Sequence, residues 1–295
     1  MRSALAVLVI MMAAGSIARA GQPSIVTSIH PLALIVKEIA GEQAAVTVLV
    51  PPNVSPHHYS MKPSERVRLE EAHLFVWLGP AMEPFLSNTM DAAGLERKSI
   101  ALHRRSPESA GSHGEHRHGQ VPATQAGDPH LWLDPDWVRS IVPRLADSLT
   151  AVPGLEHRHL EQNQEAFLQR LRDKEKAIRQ RLEALPPLEL FTYHGAFHHF
   201  AEHFDLSIAG MLTPHPQQNP GARHLTELRE KISTAVNPCI MTEPQFSGDW
   251  RQGLNMDQPV KVSHWDPLGT DIEPGMGSYT SFLDELGNAV IRCAP

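Results

Sequence analysis

"LEHRHLEQNQEAFLQRLRDKEKAIRQRLEAL", residues 155–185, places apolar side chains at Leu160, Phe167, Leu168, Leu171, Ile178, Leu182 and Leu185 among dense charges, and reaches Pro186 before meeting a proline. Apolar positions three, four and seven apart form one stripe on a helix. The spacing therefore predicts a single amphipathic helix about 45 Å long at the standard rise.

Both flanks show the same alternation. Before the helix, the β-rich runs "SIVTSI", "AAVTVLV", "LFVWLG" and "SIAL" are interleaved with the helix-like runs "ALIVKEIAG", "SERVRLEEA" and "EPFLSNTMDAAG". After it come "LELFTY", "HHFAEHF", "LSIAGML", "HLTELREKIS", "PCIMTEP" and "VKVSHW", then a final helix from Tyr279 to about Ile291. Strands alternating with helices mark parallel sheets with crossover helices. The expected fold class is α/β, with two lobes, each a mainly parallel sheet flanked by helices, joined by one long rigid helix. The expected divisions are a signal peptide at 1–20, an N-terminal lobe at 21–153, the linking helix at 154–186 and a C-terminal lobe at 187–295. No internal repeat stands out in the sequence. Between Arg104 and Gly127 the alternation stops and Gly, Ser, Pro, His and charge take over, as in long functional or disordered loops.

The N-terminus has Arg2, an apolar run from Ala4 to Ala14 and the small-x-small sequence Ala18-Arg19-Ala20, the pattern of a secretory signal cleaved after Ala20. The apolar run is shorter than the ~20 residues that span a bilayer, so no membrane insertion of the mature chain is expected. Export to an oxidising compartment, the periplasm, fits the two cysteines, Cys239 and Cys293, which are expected to pair. Loss of Arg2 and Arg19 leaves 24 of the 26 basic residues against 33 acidic ones, which excludes a nucleic-acid partner.

Histidine is abundant, with 18 in the chain. In open α/β sheets ligands bind beyond the carboxyl ends of the strands. His30, His57, His58 and His194 follow predicted strands, and His130 precedes a predicted helix. One such histidine is ordinarily structural. Three imidazoles from separate segments of an exported chain suit Zn2+ bound through neutral nitrogens, although spacing alone leaves both roles open.

"SPHHYSMKPSE" (55–65), "GDPHLWLDP" (127–135), "YHGAFHHFAEHFDL" (193–206), "TEPQF" (242–246) and "WDPLGT" (265–270), in this order around a long helix, resemble the cluster A-I substrate-binding proteins of metal ABC transporters. The resemblance covers nearly the whole mature chain and is strongest to the periplasmic zinc-binding components of high-affinity zinc importers. It implies His57, His130 and His194 as metal ligands and Asp266 as a fourth, with Glu243 as the competing carboxylate and water as a further alternative. The manganese branch commonly carries glutamate where His194 stands, so the resemblance implies zinc. Pro56 stands where an acidic residue can occur in zinc members. It also implies His57 and His130 on one wall of an interlobe cleft, His194 and Asp266 on the other, an ABC permease as partner and a monomeric carrier. His58 is not expected to ligate, because consecutive side chains of an extended segment point to opposite sides. His198, His199 and His203 are assigned as solvent-facing or packed residues of a helix, and His264 to the margin of the site.

A zinc hydrolase is the main alternative, a free-standing metal buffer or chaperone the second, and manganese or another metal in place of zinc the third. His194 and His198 stand four apart as in a metalloprotease helix, but Gly195 occupies the position of the catalytic glutamate. Neither a nucleophile elbow nor a phosphate-binding loop is present. "SHGEHRHG" (112–119) supplies His113, His116 and His118 as a possible second metal site. Ordering such a loop costs roughly 1–2 kcal/mol of backbone entropy per residue, so it is expected to bind more weakly than ligands on strand ends.

Overall fold

The computed structural model describes residues 21–52, 54–80, 82–92, 94–103, 128–213, 220–245, 254 and 260–295. The expected signal peptide and the loop histidines His113, His116 and His118 lie outside these residues.

Two parallel four-stranded sheets flank the long helix. The first contains β1 (Ser24–Thr27), β2 (Ala45–Val48), β3 (Leu74–Trp77) and β4 (Ser99–Ala101) in the order β2-β1-β3-β4. The second contains β5 (Glu189–Thr192), β6 (Ile208–Met211), β7 (Pro238–Thr242) and β8 (Lys261–His264) in the order β6-β5-β7-β8. Both sheets follow one winding scheme, a structural repetition with no counterpart in residue identity. The eight helices among the described residues are α1 (His30–Ala40), α2 (Pro63–Glu71), α3 (Pro84–Ala92), α4 (Pro135–Thr150), α5 (His157–Glu183), α6 (His198–His203), α7 (Ala222–Thr234) and α8 (Ser278–Ile291). The predicted α/β class and the long helix are both present, with α5 starting two residues after the expected Leu155 and ending two before Leu185.

Each sheet buries an outer core against its own helices. Val26, Phe75, Leu69 and Leu86 meet on the first sheet, and Phe191, Leu212, Leu228 and Ile240 on the second. The inner faces share one core that runs through α5. Leu160, Phe167, Leu171, Ile178 and Leu182 of α5 are buried, and they join Leu34 of α1, Leu145 of α4 and Leu286 of α8. The apolar stripe read from the sequence therefore serves three helices at once, since α5 packs on α1, α4 and α8.

At the heart of this junction is Glu38, fully buried on α1. Its carboxylate accepts from Arg170 of α5 at 2.6 Å and from the backbone N–H groups of Gly277 and Tyr279 at 2.9 and 3.1 Å. A carboxylate from the N-terminal lobe thus caps α8 of the C-terminal lobe, where unpaired N–H groups and the helix dipole favour negative charge. Further bonds cross the same boundary: the Trp132 indole donates to Pro267 O at 2.7 Å, Tyr279 Oη to Trp132 O at 2.8 Å, and His30 Nδ1 to Leu268 O at 3.0 Å.

The expected disulfide is present between Cys239 of β7 and Cys293 just beyond α8, with Cα atoms 5.6 Å apart. It ties the last helix to the second sheet.

Removing Glu38 strands Arg170 and uncaps α8 together. Glu38→Ala is expected to lower unfolding stability by about 3–5 kcal/mol, the range for breaking a buried charge pair. Chemical denaturation followed by circular dichroism checks this, and a midpoint equal to that of the unaltered chain refutes it.

Candidate metal centre

In the second sheet the winding reverses between β5 and β7, so a crevice opens beyond their carboxyl ends. His194 follows β5 by two residues, and Glu243 directly follows β7. His57 arrives from the N-terminal lobe on the 3-10 turn Pro56–His58, and His130 lies just before the turn Leu131–Leu133 that leads into α4. That first turn replaces the extended segment assumed for His57 and His58.

The structure brings His57, His130 and His194 together, with one ligand nitrogen of each within 4.8 Å of the others. Nε2 of His57 and Nε2 of His130 are 3.1 Å apart, and the His194 ring centroid lies 5.2 Å from that of His130 and 6.2 Å from that of His57. Two Zn–N bonds of about 2.0–2.1 Å at a tetrahedral angle put their nitrogens roughly 3.3 Å apart, so the His57–His130 spacing fits one shared ion. His130 and His194 are buried, and His57 is half-buried. The cleft is partly open to solvent and is walled by Pro56, Met82 and Trp132 on one side and by Gln245, Pro267 and Leu268 on the other.

Behind two of the imidazoles stands a carboxylate. Asp128 Oδ1 accepts from His130 Nδ1 at 2.6 Å and from the His130 backbone N–H at 3.0 Å. Glu243 Oε1 accepts from His194 Nδ1 at 2.7 Å. A carboxylate on Nδ1 fixes the tautomer and turns the lone pair of Nε2 toward the cluster, the outer-partner arrangement of histidine metal sites. Burial lowers the His130 pKa, against the opposing pull of the Asp128 hydrogen bond and charge, and this favours the neutral, coordinating form. Burial opposes the Asp128 charge, but the hydrogen bond and charge of His130 and the charge of His199 bring its pKa below the usual range. Glu243 is pushed upward by burial, with His194 opposing and Asp266 reinforcing the shift.

Asp266 is not brought into the histidine cluster. Oδ1 accepts from Gln245 Nε2 at 2.8 Å and Leu268 N at 3.0 Å, and Oδ2 accepts from Thr270 N and Thr270 Oγ1, both at 2.6 Å. Four hydrogen bonds saturate its oxygens and shape the "WDPLGT" loop. Glu243, the competing carboxylate, lies behind His194 and orients it. His264 Nδ1 is 2.8 Å from Thr242 Oγ1 at the strand end. His30 secures the interlobe contact with Leu268. Sequence reasoning passed over Asp128, although its position two residues before His130 in "GDPH" was a usable signal.

The corresponding winding reversal of the first sheet is filled by protein. Glu83, fully buried, accepts from Ser28 Oγ and from Gly79 N–H at 2.9 Å, and burial raises its pKa to about 7 against those bonds. Gly79 has φ 127°, and a Cβ there would meet His103 O at 2.6 Å, so only glycine fits this turn. One crevice is thus plugged by a held carboxyl group while the other presents an imidazole.

The sequence profile of the family described as "Zinc-uptake complex component A periplasmic" matches residues 25–293. The high-affinity zinc uptake system protein ZnuA of Yersinia pestis is 30% identical, the alignment covering 92% of this chain and 91% of that protein. A crystal structure of ZnuA superposes with a TM-score of 0.76 at 25% identity, covering 93% of this chain and 99% of the other. A ZnuA deletion mutant with zinc bound superposes with a TM-score of 0.73 at 25% identity, covering 92% and 97%. With its two parallel-sheet lobes and nearly its whole length matched, this chain belongs to the family of periplasmic zinc-uptake components, substrate-binding proteins and not enzymes.

Proposed function

We propose that this chain captures Zn2+ outside the inner membrane and hands it to the permease of an ABC importer. The observation that carries this reading is the convergence of His57, His130 and His194 on one point of the interlobe cleft. Zinc is the cargo here, and the histidines are its binding groups. Neutral imidazoles favour zinc over magnesium and calcium, which take oxygen ligands. The two orienting carboxylates, Asp128 and Glu243, lower the cost of arranging the rings before the ion arrives.

The fourth position is assigned to water rather than to Asp266, because recruiting Asp266 would break charge-assisted hydrogen bonds worth about 1.5–3 kcal/mol each. A single chain carries all three imidazoles, so a monomer suffices for binding. Residues 1–20 direct export to the periplasm, and the histidines of 104–127 act as a weaker collecting site tethered to the same chain.

One zinc ion is expected per metal-stripped chain at the tight site. His57→Ala, His130→Ala and His194→Ala are each expected to weaken it by more than about a hundredfold, beyond the 10–100-fold typical of losing an outer partner. Competition against a chelator of known affinity measures this, and near-native affinity in any variant removes that residue from the site. Asp128→Asn is expected to cost about 10–100-fold. In the same assay Asp266→Asn should leave affinity nearly unchanged, whereas a loss matching the histidine variants would restore Asp266 as a ligand. Deletion of residues 106–120 is expected to preserve the tight event in calorimetry and to remove weaker ones; disappearance of the tight event would transfer the principal site to the loop.

A further inference from the structure

Helix α6 begins four residues after His194, beyond the turn Gly195–Phe197, and its inner side is anchored by the fully buried Phe200. Two histidines one turn apart on α6 reach the segment that carries His130. His199 Nε2 donates to Asp128 O at 3.1 Å. His203 Nδ1 lies 3.4 Å from Asp134 Oδ1 and 3.3 Å from Asp136 Oδ2, and its Nε2 lies 2.7 Å from Glu175 Oε1 on α5. The two contacts bracket His130 in the chain, one at residue 128 before it and one at residue 134 after it.

Asp134, Asp136 and His203 also form a group with metal-ligand spacing. Cations from the protein already serve it: Arg139 pairs with both Asp136 and Glu175, and both ring nitrogens of His203 face carboxylates. It is an ion-pair junction of α4, α5 and α6.

We propose that α6 is a clasp, in which His199 and His203 tie the His194 segment of the C-terminal lobe to the His130 segment of the N-terminal lobe and thereby set how fast zinc leaves the cleft. The inference rests on the three-histidine reading given above. His203 is the positioning residue that contributes charge. The groups facing it are Asp134 at the N-cap of α4, Asp136 on α4 and Glu175 on α5, with Arg139 of α4 paired to Asp136 and Glu175 and Arg179 of α5 donating to the His203 backbone carbonyl. Its neighbour Asp205 pairs with Arg179. Burial disfavours the His203 cation, yet the hydrogen bonds and charges of Asp134 and Glu175 outweigh burial and raise its pKa to about 9. The imidazolium is therefore the form present at neutral pH. Because the folded value lies above the unfolded value of about 6.5, the contribution of the pair is complete below that pH and is lost as pH rises through about 9.

The test is a chelator chase of zinc-loaded wild-type protein, His203→Gln and His203→Lys, run from about pH 7 to about pH 10, a span that brackets the raised His203 value and stays below the Lys reference. At neutral pH the Gln variant is expected to release zinc about 5- to 150-fold faster than wild type, the range of a typical coupling between sites. The Lys variant, which keeps a cation, is expected to stay close to wild type. The Gln-to-wild-type ratio of rates should fall toward one as pH passes about 9, where the wild-type imidazole loses its charge. Equal rates at neutral pH, or a ratio that does not change with pH, overturn the clasp. If the Gln variant does not fold, the Lys-to-wild-type ratio decides: it should drop below one above pH 9, because lysine stays charged there, and a flat ratio overturns the proposal. Zinc release that is insensitive to His130→Ala and His194→Ala overturns the histidine site and the clasp together, whereas insensitivity to His203 alone removes only the clasp.

Discussion

The rest of the structure depends on a carboxylate inside the interlobe junction. Glu38 receives a guanidinium from the long helix and two backbone N–H groups from the start of the last helix, so three elements from both lobes are tied to one charge. Burying that charge is tolerable only because each hydrogen bond is made. Around it the apolar stripe of α5 packs against α1, α4 and α8 as one core. The lobes are therefore not independent bodies on a flexible linker. The relative placement of His57 and His130 against His194 is inherited from this junction.

The metal centre follows from that placement and from a second layer of charge. Asp128 and Glu243 contact imidazole Nδ1 atoms rather than the centre of the cluster, so they orient donors without joining them. Within the first sheet the equivalent crevice is closed by Glu83 with Ser28 and Gly79. The crevices of the two lobes have thus been put to different use, one sealed by a carboxyl group and one presenting His194, while the first lobe offers His57 and His130 from its connecting segments. The Tyr279 and Trp132 bonds across the boundary connect the wall carrying His130 to the same core that Glu38 organises.

Much of this was legible in the residues. The 3.6-residue periodicity of 155–185 announced α5, and strand-helix alternation announced two parallel-sheet lobes. The motif resemblance singled out His57, His130 and His194, which the fold does bring together. The disulfide partners followed from there being two cysteines in an exported chain. In sequence, His199 and His203 are ordinary helix residues, solvent-facing or packed, because nothing local to "HHFAEHF" reveals that Asp128, Asp134 and Glu175 lie across from them. Glu38 was equally hidden: in "ALIVKEIAG" it reads as the polar face of an amphipathic helix.

By itself the sequence determined the α/β class, the long helix and the two-lobe division, because periodicity and strand-helix alternation are local properties of a chain. Only the tertiary structure decided that Asp266 spends both oxygens on its own loop, that Glu243 stands behind His194, that Asp128 aligns His130, and that the two sheets repeat one topology. The reason is physical: whether a carboxylate coordinates, orients or caps depends on which donors reach its oxygens first, and those donors come from segments up to hundreds of residues away, as Tyr279 does for Glu38.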